Sequence, residues 1–254
     1  MKSSTSYGYP LSSLILLING LLLLNLGILL LVFLGELLFA GILLISIPLY
    51  IYFIVIRFKH RFNRFRHQTL QQMIKHAELN GTEIIADIGT GAGFIAIGFS
   101  KTLTTGKIYA LDKYHENNQG ILSRFNEEMK INFFGNTLQN AQHNAIIEQQ
   151  QKKITFLQAN LTKPFPFKTN YFDCIISSQF LYCIPKHQLD DTLIEIHRVL
   201  KPSGKIIFFE SKGFLQWNLQ HVITFYEQKN YTVKTHPVPF SNKKCLLIGT
   251  KPAH

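Results

Sequence analysis

A glycine-rich turn in this chain has the residue types that bind a nucleotide-like ligand. The turn is the run Asp87-Ile88-Gly89-Thr90-Gly91-Ala92-Gly93-Phe94, which follows a short β-like run and opens a helical stretch. Glycines let a ligand approach the backbone closely, and the start of a helix offers N–H groups without helical partners. The spacing Gly-x-Gly-x-Gly is one residue tighter than the usual dinucleotide fingerprint. Tight-turn glycines with a capping acid are the alternative interpretation.

A second acidic residue stands at a functional distance from this turn. Asp112 ends the next β-like run, 19 residues after Gly93. An acid about 20 residues beyond such a turn is placed to accept hydrogen bonds from ribose hydroxyls. The two features together predict a site for a ribose-containing ligand.

The elements that would position these residues alternate along the chain from Thr82 onward. Short β-like runs separated by helical stretches indicate βαβ units and a mostly parallel sheet. The predicted strands are 83–87, 108–112, 153–158, 172–177, 205–210, 232–237 and 244–250, and the predicted helices are 94–103, 138–151, 188–200 and 215–229. The last two strands suggest an antiparallel closing pair.

Three further motifs follow the glycine turn in a fixed order. They are Gln158-Ala159-Asn160-Leu161 before Pro164-Phe165-Pro166-Phe167, then Phe172–Ser178 leading into Leu181-Tyr182-Cys183-Ile184-Pro185, and finally Leu200-Lys201-Pro202-Ser203-Gly204-Lys205. The ordered set, over residues 83–250, resembles the class I S-adenosylmethionine-dependent methyltransferases of the small-molecule type. This resemblance implies a Rossmann-like seven-stranded α/β sheet with an antiparallel closing strand pair, and S-adenosyl-L-methionine as the cofactor.

The resemblance also implies a cofactor site. Its glycines would wrap the methionine part of the cofactor beside Asp87, and Asp112 would accept bonds from the ribose. Asn160 stands where the family usually has an Asp facing the adenine amino group, and Leu161 would flank the adenine ring. The complete set of expected cofactor-binding residues is Asp87, Gly89, Thr90, Gly91, Gly93, Asp112, Lys113, Asn160, Leu161 and Ser177.

The catalytic base is not assigned by the sequence. Residues 179–182 would face the transferred methyl group, and Tyr182 stands where many relatives have His. His115 begins a long polar stretch, residues 114–134, that is predicted to be a lid or substrate loop. Tyr182 and His115 are therefore the two catalytic candidates.

Residues 11–56 are almost purely aliphatic, with Glu36 the only ionisable side chain. A bilayer core needs about 20 apolar residues in a helix. The sequence therefore predicts a hairpin of two transmembrane helices, at about 11–34 and 37–56, that turns at Gly35-Glu36. One long tilted or re-entrant helix, and a buried core hairpin of a soluble protein, are the alternatives.

A basic stretch follows the apolar one. Residues 57–67 contain five Lys or Arg, and no acid occurs before Glu78. The positive-inside rule predicts that this end and the following domain lie in the cytoplasm. The interleaved phenylalanines favour a helix lying on anionic membrane lipid over a nucleic-acid contact. The predicted organisation is a hairpin at 1–56, a helical bridge at 57–81 and the methyltransferase-like domain at 82–254.

Composition limits the remaining functions. The net charge is +11, yet only 16% of the residues are charged and 46% are hydrophobic. Three cysteines exclude a disulfide scaffold, and Cys174, Cys183 and Cys245 lack metal-ligand spacing, so they are predicted to be reduced core residues and no metal site is predicted.

The sequence thus predicts a membrane-anchored methyltransferase acting on a small, lipid- or quinone-like acceptor. Motifs of nucleobase methylation are missing from the strand-four end, so no nucleic-acid partner is expected. An NAD-dependent Rossmann oxidoreductase and a catalytically inactive membrane protein with the same fold are the alternatives.

Overall fold

The computed structural model describes residues 11–33, 38–114, 136–214, 217–239 and 241–253. These residues divide into two compact units, one that ends at His67 and one that begins at Gln68. The predicted turn at Gly35-Glu36 and most of the predicted lid, together with His115, lie outside the described residues.

Two long helices make up the first unit. Helix α1 is Leu11–Phe33 and helix α2 is Leu38–Ala77, the latter running into the second unit. The predicted second span and the predicted bridge are therefore one continuous helix, in which Pro48 is accommodated without ending it. Among the described residues, one segment, Ile15–Phe33, has the length and hydropathy of a membrane span.

Glycines bring the two helices close together. Gly20 and Gly27 are both buried, seven residues apart on α1. A Cβ atom at Gly27 would lie 2.9 Å from Cβ of Leu44, and one at Gly20 would lie 3.6 Å from the carbonyl oxygen of Pro48. Small residues at the contact line are typical of helices that pack within a membrane, where close backbone approach replaces hydrophobic driving force.

The second unit is a seven-stranded sheet with helices. Its principal elements are β1 (Ile84–Ile88), α3 (Phe94–Ser100), β2 (Lys107–Asp112), α4 (Leu138–Ile147), β3 (Ile154–Gln158), β4 (Phe172–Ser178), α5 (Lys186–Val199), β5 (Leu200–Ser211), α6 (Leu219–Glu227), β8 (Thr232–Val238) and β9 (Ser241–Thr250). The strand order is β3-β2-β1-β4-β5-β9-β8. The first five strands in this order are parallel, and β9 pairs antiparallel with both β5 and β8. The predicted sheet with its closing pair is confirmed.

The register of β1 aligns three carboxyl ends. Ile88 pairs with Leu111 of β2 on one side and with Ser177 of β4 on the other. Strand order reverses at β1, since β2 and β3 lie to one side and β4 and β5 to the other. In open α/β sheets this switch point, beyond the carboxyl ends of the strands, is where ligands bind.

Helices cover the sheet with apolar stripes at helical spacing. On α5 the buried apolar residues are Leu189, Leu193, Ile196 and Val199. At the end of α2, Leu70 and Met73 are buried, and a Cβ atom at Gly98 of α3 would lie 2.3 Å from Cδ2 of Leu70. A larger residue at 98 would therefore push these two helices apart.

Some predicted boundaries were wrong. Strand β5 begins at Leu200 and not at 205, because Leu200 already pairs with Phe172 before a register shift. The last helix begins at Leu219 and not at 215, because the Asn218 side chain caps it and accepts from Gln220 N. Two-residue strands, β6 (Gly213–Phe214) and β7 (Trp217–Asn218), pair just before this cap.

Candidate cofactor site

The glycine turn has a backbone conformation that other residues rarely adopt. Gly89, Gly91 and Gly93 have φ values of 75°, 53° and 82°. Thr90 N donates to Leu111 O at 3.1 Å, which fixes the turn against the end of β2. A Cβ atom at Gly89 would lie 2.3 Å from Cγ of Phe180, so a side chain at this position would collide with the residue above it.

Asp87 lies beneath the turn and is almost fully buried. Its Oδ2 accepts from Thr90 Oγ1 at 2.7 Å and from Ala96 N at 3.1 Å. Burial raises the pKa of Asp87 to about 7, although both hydrogen bonds act in the opposite direction. This carboxyl group thus ties the turn to α3 and titrates close to neutral pH.

Asp112 reaches from β2 to the turn. Its Oδ2 accepts from Gly91 N at 2.8 Å, and its Oδ1 accepts from Tyr114 N at 3.3 Å. The structure therefore brings together the glycine turn and Asp112, which the sequence spacing predicted to form one site. Lone pairs remain on both oxygens after these bonds, and a carboxylate can accept from hydroxyl groups as well.

Tyr114 was expected to begin the lid, but it is buried beside the two acids. Its backbone is left-handed, with φ 37°, and its side chain is 5% exposed. Burial and the charges of Asp112 and Asp87 raise the pKa of its phenol well above the usual range. Its hydroxyl has no hydrogen-bond partner among the described residues. In the sequence, the position of this aromatic residue two places after Asp112 was the available signal that it belongs to the site.

The expected adenine-side residues line an open cleft of about 420 Å³. Lys113, Asn160 and Leu161 lie along it, and Phe180 and Ile184 also line it. Oδ1 of Asn160 already accepts from Thr162 N at 3.1 Å and from Thr162 Oγ1 at 2.9 Å. The amide oxygen thus stabilises its own loop, and the side chain keeps its NH₂ group to offer a ligand.

Ser177 lies below the cleft and not on its wall. The side chain is fully buried, and its Oγ donates to Ile88 O at 3.1 Å. Ser177 therefore joins β4 to β1 at the point where both strands end. Its expected contact with the cofactor stays a prediction.

The surroundings of Tyr182 do not make it a base. Tyr182 is partly exposed, in the short 3₁₀ turn Leu181–Cys183. Burial, followed by the neighbouring Cys183, raises the pKa of Tyr182 to about 12, so the phenol is neutral at pH 7.

Cys183 is exposed at the cleft, so its prediction as a core residue was wrong, whereas Cys174 and Cys245 are buried. Within the described ranges no group of three or more His, Cys, Asp or Glu could hold a metal ion.

Comparison with known proteins indicates a methyltransferase domain. A family model described as a methyltransferase domain matches residues 86–208. The chain is 31% identical over 142 residues to the ubiquinone/menaquinone biosynthesis C-methyltransferase UbiE of Rickettsia prowazekii, covering 56% of this chain and 50% of that protein. It is 26% identical over 124 residues to the probable methyltransferase ltbC of Aspergillus luteorubrus, covering 48% of this chain and 38% of that protein. The chain thus spans half or less of these relatives' length.

A solved structure shows the same fold. The crystal structure of a putative S-adenosyl-L-methionine-dependent methyltransferase from Methanococcus maripaludis superposes with a TM-score of 0.56 at 16% identity, covering 76% of this chain and 88% of that one. Residues 86–208 thus match a methyltransferase domain, and the sheet has the fold of an S-adenosyl-L-methionine-dependent methyltransferase. These matches favour a methyltransferase over the oxidoreductase alternative.

The residues of this domain fit S-adenosyl-L-methionine, the cofactor that the sequence resemblance implies. The glycine turn leaves backbone space that side chains would fill, and Tyr114 offers a buried hydroxyl without a partner among the described residues. Two carboxyl groups stand beside that hydroxyl and are of the type that attracts an ammonium and ribose hydroxyls.

We expect Asp112→Ala to weaken cofactor binding by about 10- to 100-fold, because a hydrogen bond to a charged group contributes about 1.5–3 kcal/mol. Asp173→Ala is the matched control, since Asp173 also accepts a backbone N–H, from Ile84, but at the amino end of the sheet. Calorimetric titration of the detergent-solubilised chain with S-adenosylhomocysteine measures both. Equal affinity of Asp112→Ala and the wild type would contradict the site assignment.

We expect cofactor affinity to rise with pH below about 7. A cationic ammonium binds the Asp87 carboxylate and not the neutral acid, so binding gains from each deprotonation as pH rises toward the pKa of about 7. An α-amino group, with its pKa near 7.7–8.0, stays protonated over most of this range. Titrations from pH 5.5 to 7 should show about a tenfold gain for the wild type and none for Asp87→Asn. A wild-type profile as flat as that of the variant would disprove the role.

Proposed function

We propose that the whole chain is a membrane-anchored S-adenosylmethionine-dependent methyltransferase that modifies a small lipophilic acceptor, such as a lipid or a quinone-like ring. The observation that carries this proposal is the union, in one chain, of a methyltransferase domain with a glycine-packed pair of apolar helices. The organisation into a hairpin at 1–56, a bridge at 57–81 and a domain at 82–254 is part of the proposal.

The wall of the cleft supports an apolar acceptor. Phe180, Ile184 and Pro185 line the same cleft as the expected adenine-side residues. Apolar walls with a few polar groups are typical of small-molecule sites. The rickettsial relative is named as a quinone C-methyltransferase, which supports a quinone-like acceptor for this chain as well.

The exposed side chains of α1 support burial in lipid. Large aliphatic residues, among them Leu22 and Val32, face outward over its length, while Gly20 and Gly27 face α2. Water would disfavour such a surface at about 25 cal/mol per Å² of apolar area, whereas lipid would not. The first part of α2 continues this pattern, with Ile47 and Leu49 exposed. Two membrane spans are therefore proposed.

The basic part of α2 supports contact with anionic lipid on the cytoplasmic side. Here Phe58 and Phe62 stack with their ring centroids 6.3 Å apart, and the Arg66 guanidinium lies 5.6 Å from the Phe62 ring centroid. Lysine and arginine next to a span orient that end toward the cytoplasm. The methyltransferase domain would follow on the same side.

Methyl transfer from a sulfonium requires little from the protein beyond alignment of the methyl group with the acceptor. When bound, S-adenosyl-L-methionine supplies a methyl group on a positively charged sulfur. The glycine turn and Asp112 would hold the cofactor, and the turn at 179–183 would align the acceptor. Because Tyr182 is neutral at pH 7, it serves as a hydrogen-bond donor and not as a ready base. His115 is kept as the other catalytic candidate.

We expect methyl groups to reach an acceptor that partitions into organic solvent. Membranes containing the full chain, incubated with S-adenosylmethionine tritiated on the methyl group, should yield label in the organic extract. Asp112→Ala should lose most of this label, whereas Asp173→Ala should keep it. Label found only in the aqueous fraction would contradict a lipophilic acceptor, and no label in any fraction would favour the inactive membrane protein.

We expect the chain to stay in the membrane pellet after extraction with alkaline carbonate, because two apolar spans resist removal that releases surface-bound proteins. Replacing the five Lys and Arg of residues 57–67 by Gln provides the control: it removes attraction to anionic lipid and should leave the chain in the pellet. Recovery of the wild type in the supernatant would show that the helices do not span the bilayer.

A further inference from the structure

A buried glutamate stands behind the cleft without a role in the site described so far. Glu210 lies near the carboxyl end of β5 and is fully buried. Its Oε1 accepts from Phe180 N and from Leu181 N, both at 2.9 Å. One carboxyl oxygen thus holds two consecutive N–H groups of the turn that carries the acceptor-side residues.

The turn at 179–183 has to be stabilised by contacts with other elements. Gln179 has φ 56°, a left-handed conformation that is unfavourable for a residue with a side chain. Gln179 N donates to Phe209 O at 2.8 Å, so three successive N–H groups of the turn are bonded to β5. Phe180 and Cys183 of the same turn line the cleft. The position of these cleft residues therefore depends on β5.

Holding the turn engages only one carboxyl oxygen of Glu210, Oε1. Oε2 has no hydrogen-bond partner within the described part of the chain. The titratable groups that face Glu210 are Tyr182 and Cys183 in the turn and Lys244 and Cys245 on β9. Burial raises the pKa of Glu210 to about 7, while the two N–H bonds and Lys244 act in the opposite direction. The group thus changes charge near neutral pH.

We propose that Glu210 is the positioning residue of the acceptor site, holding the turn at 179–183 in place through the N–H groups of Phe180 and Leu181. The inference rests on the proposed function, because it takes this turn to be the acceptor side of the cleft. Glu210 acts through the turn and not on the reacting atoms.

The strength of the two hydrogen bonds to Glu210 should depend on pH, because the charge of the carboxyl group changes with pH. A carboxylate accepts N–H bonds about twice as strongly as a neutral group does. As pH rises through about 7, Glu210 becomes charged and the bonds to Phe180 and Leu181 strengthen. The turn should therefore be held more tightly at pH 8 than at pH 6, and Glu210→Gln should remove the difference.

Hydrogen exchange of the amides of Phe180 and Leu181 tests this proposal without an acceptor. The full chain in lipid nanodiscs, saturated with S-adenosylhomocysteine, is compared at pH 6 and pH 8 as wild type, Glu210→Gln and Glu210→Ala. Wild-type protection factors, corrected for the intrinsic exchange rate, should rise severalfold between these pH values. Glu210→Gln should show no rise, and Glu210→Ala should lose about tenfold in protection at pH 8.

Glu195→Ala is the matched control, because Glu195 likewise accepts a backbone N–H, from Phe165, but outside this turn. It should leave protection at Phe180 and Leu181 unchanged. A cooperative thermal unfolding transition like that of the wild type shows that Glu210→Ala is folded; should that variant fail to fold, the pH profile of Glu210→Gln decides. Equal pH dependence of Glu210→Gln and the wild type, or full protection in a folded Glu210→Ala, would overturn the proposal.

A kinetic measurement separates positioning from direct catalysis. With 1,4-naphthohydroquinone as the probe acceptor at pH 8, Glu210→Ala should raise the acceptor KM about tenfold and change kcat less than threefold, and Glu210→Gln should largely restore KM. A fall in kcat at constant KM would overturn the positioning role. If the wild type does not methylate the probe, that result counts against a quinone-like acceptor, while hydrogen exchange still decides the role of Glu210.

Discussion

The hydrogen bond from Gly91 N to the Asp112 carboxylate joins the ends of two strands, and the candidate site is built around it. It forms because β1 and β2 pair in parallel, so that Ile88 lies opposite Leu111 and both chains leave the sheet at the same edge. The left-handed glycines let the chain turn back toward Asp112 at that edge. Without this parallel register the turn and the acid would lie apart, and neither alone would define a site for a ribose-containing ligand.

Features set by local sequence could be predicted, and features set by distant contacts could not. The glycine turn and Asp112 were found because conformational freedom and spacing follow directly from residue type. Tyr114 was assigned to a polar loop, and only the fold shows that its ring is buried beside Asp87 and Asp112. Glu210 and the turn it holds are about thirty residues apart in sequence. The strand start at Leu200 was missed because it depends on pairing with Phe172 across the sheet.

The two departures from the family pattern have a physical consequence. Asn160 uses its side-chain oxygen to hold Thr162, so the loop keeps its shape with an amide where relatives usually have a carboxylate. Tyr182, with its pKa raised to about 12, offers a proton at neutral pH where a histidine would accept one. Both changes remove negative charge or basicity from the cleft, which suits an acceptor that is already ionised or that needs no general base.

The cofactor side and the acceptor side of the cleft are in direct contact. Gly89 has no side chain because Phe180 lies against it, and Phe180 in turn donates its N–H to Glu210. A shift of the turn at 179–183 therefore changes the space above the glycine turn, and a ligand that fills that space restrains Phe180. The two sides of the candidate site therefore share this one aromatic side chain.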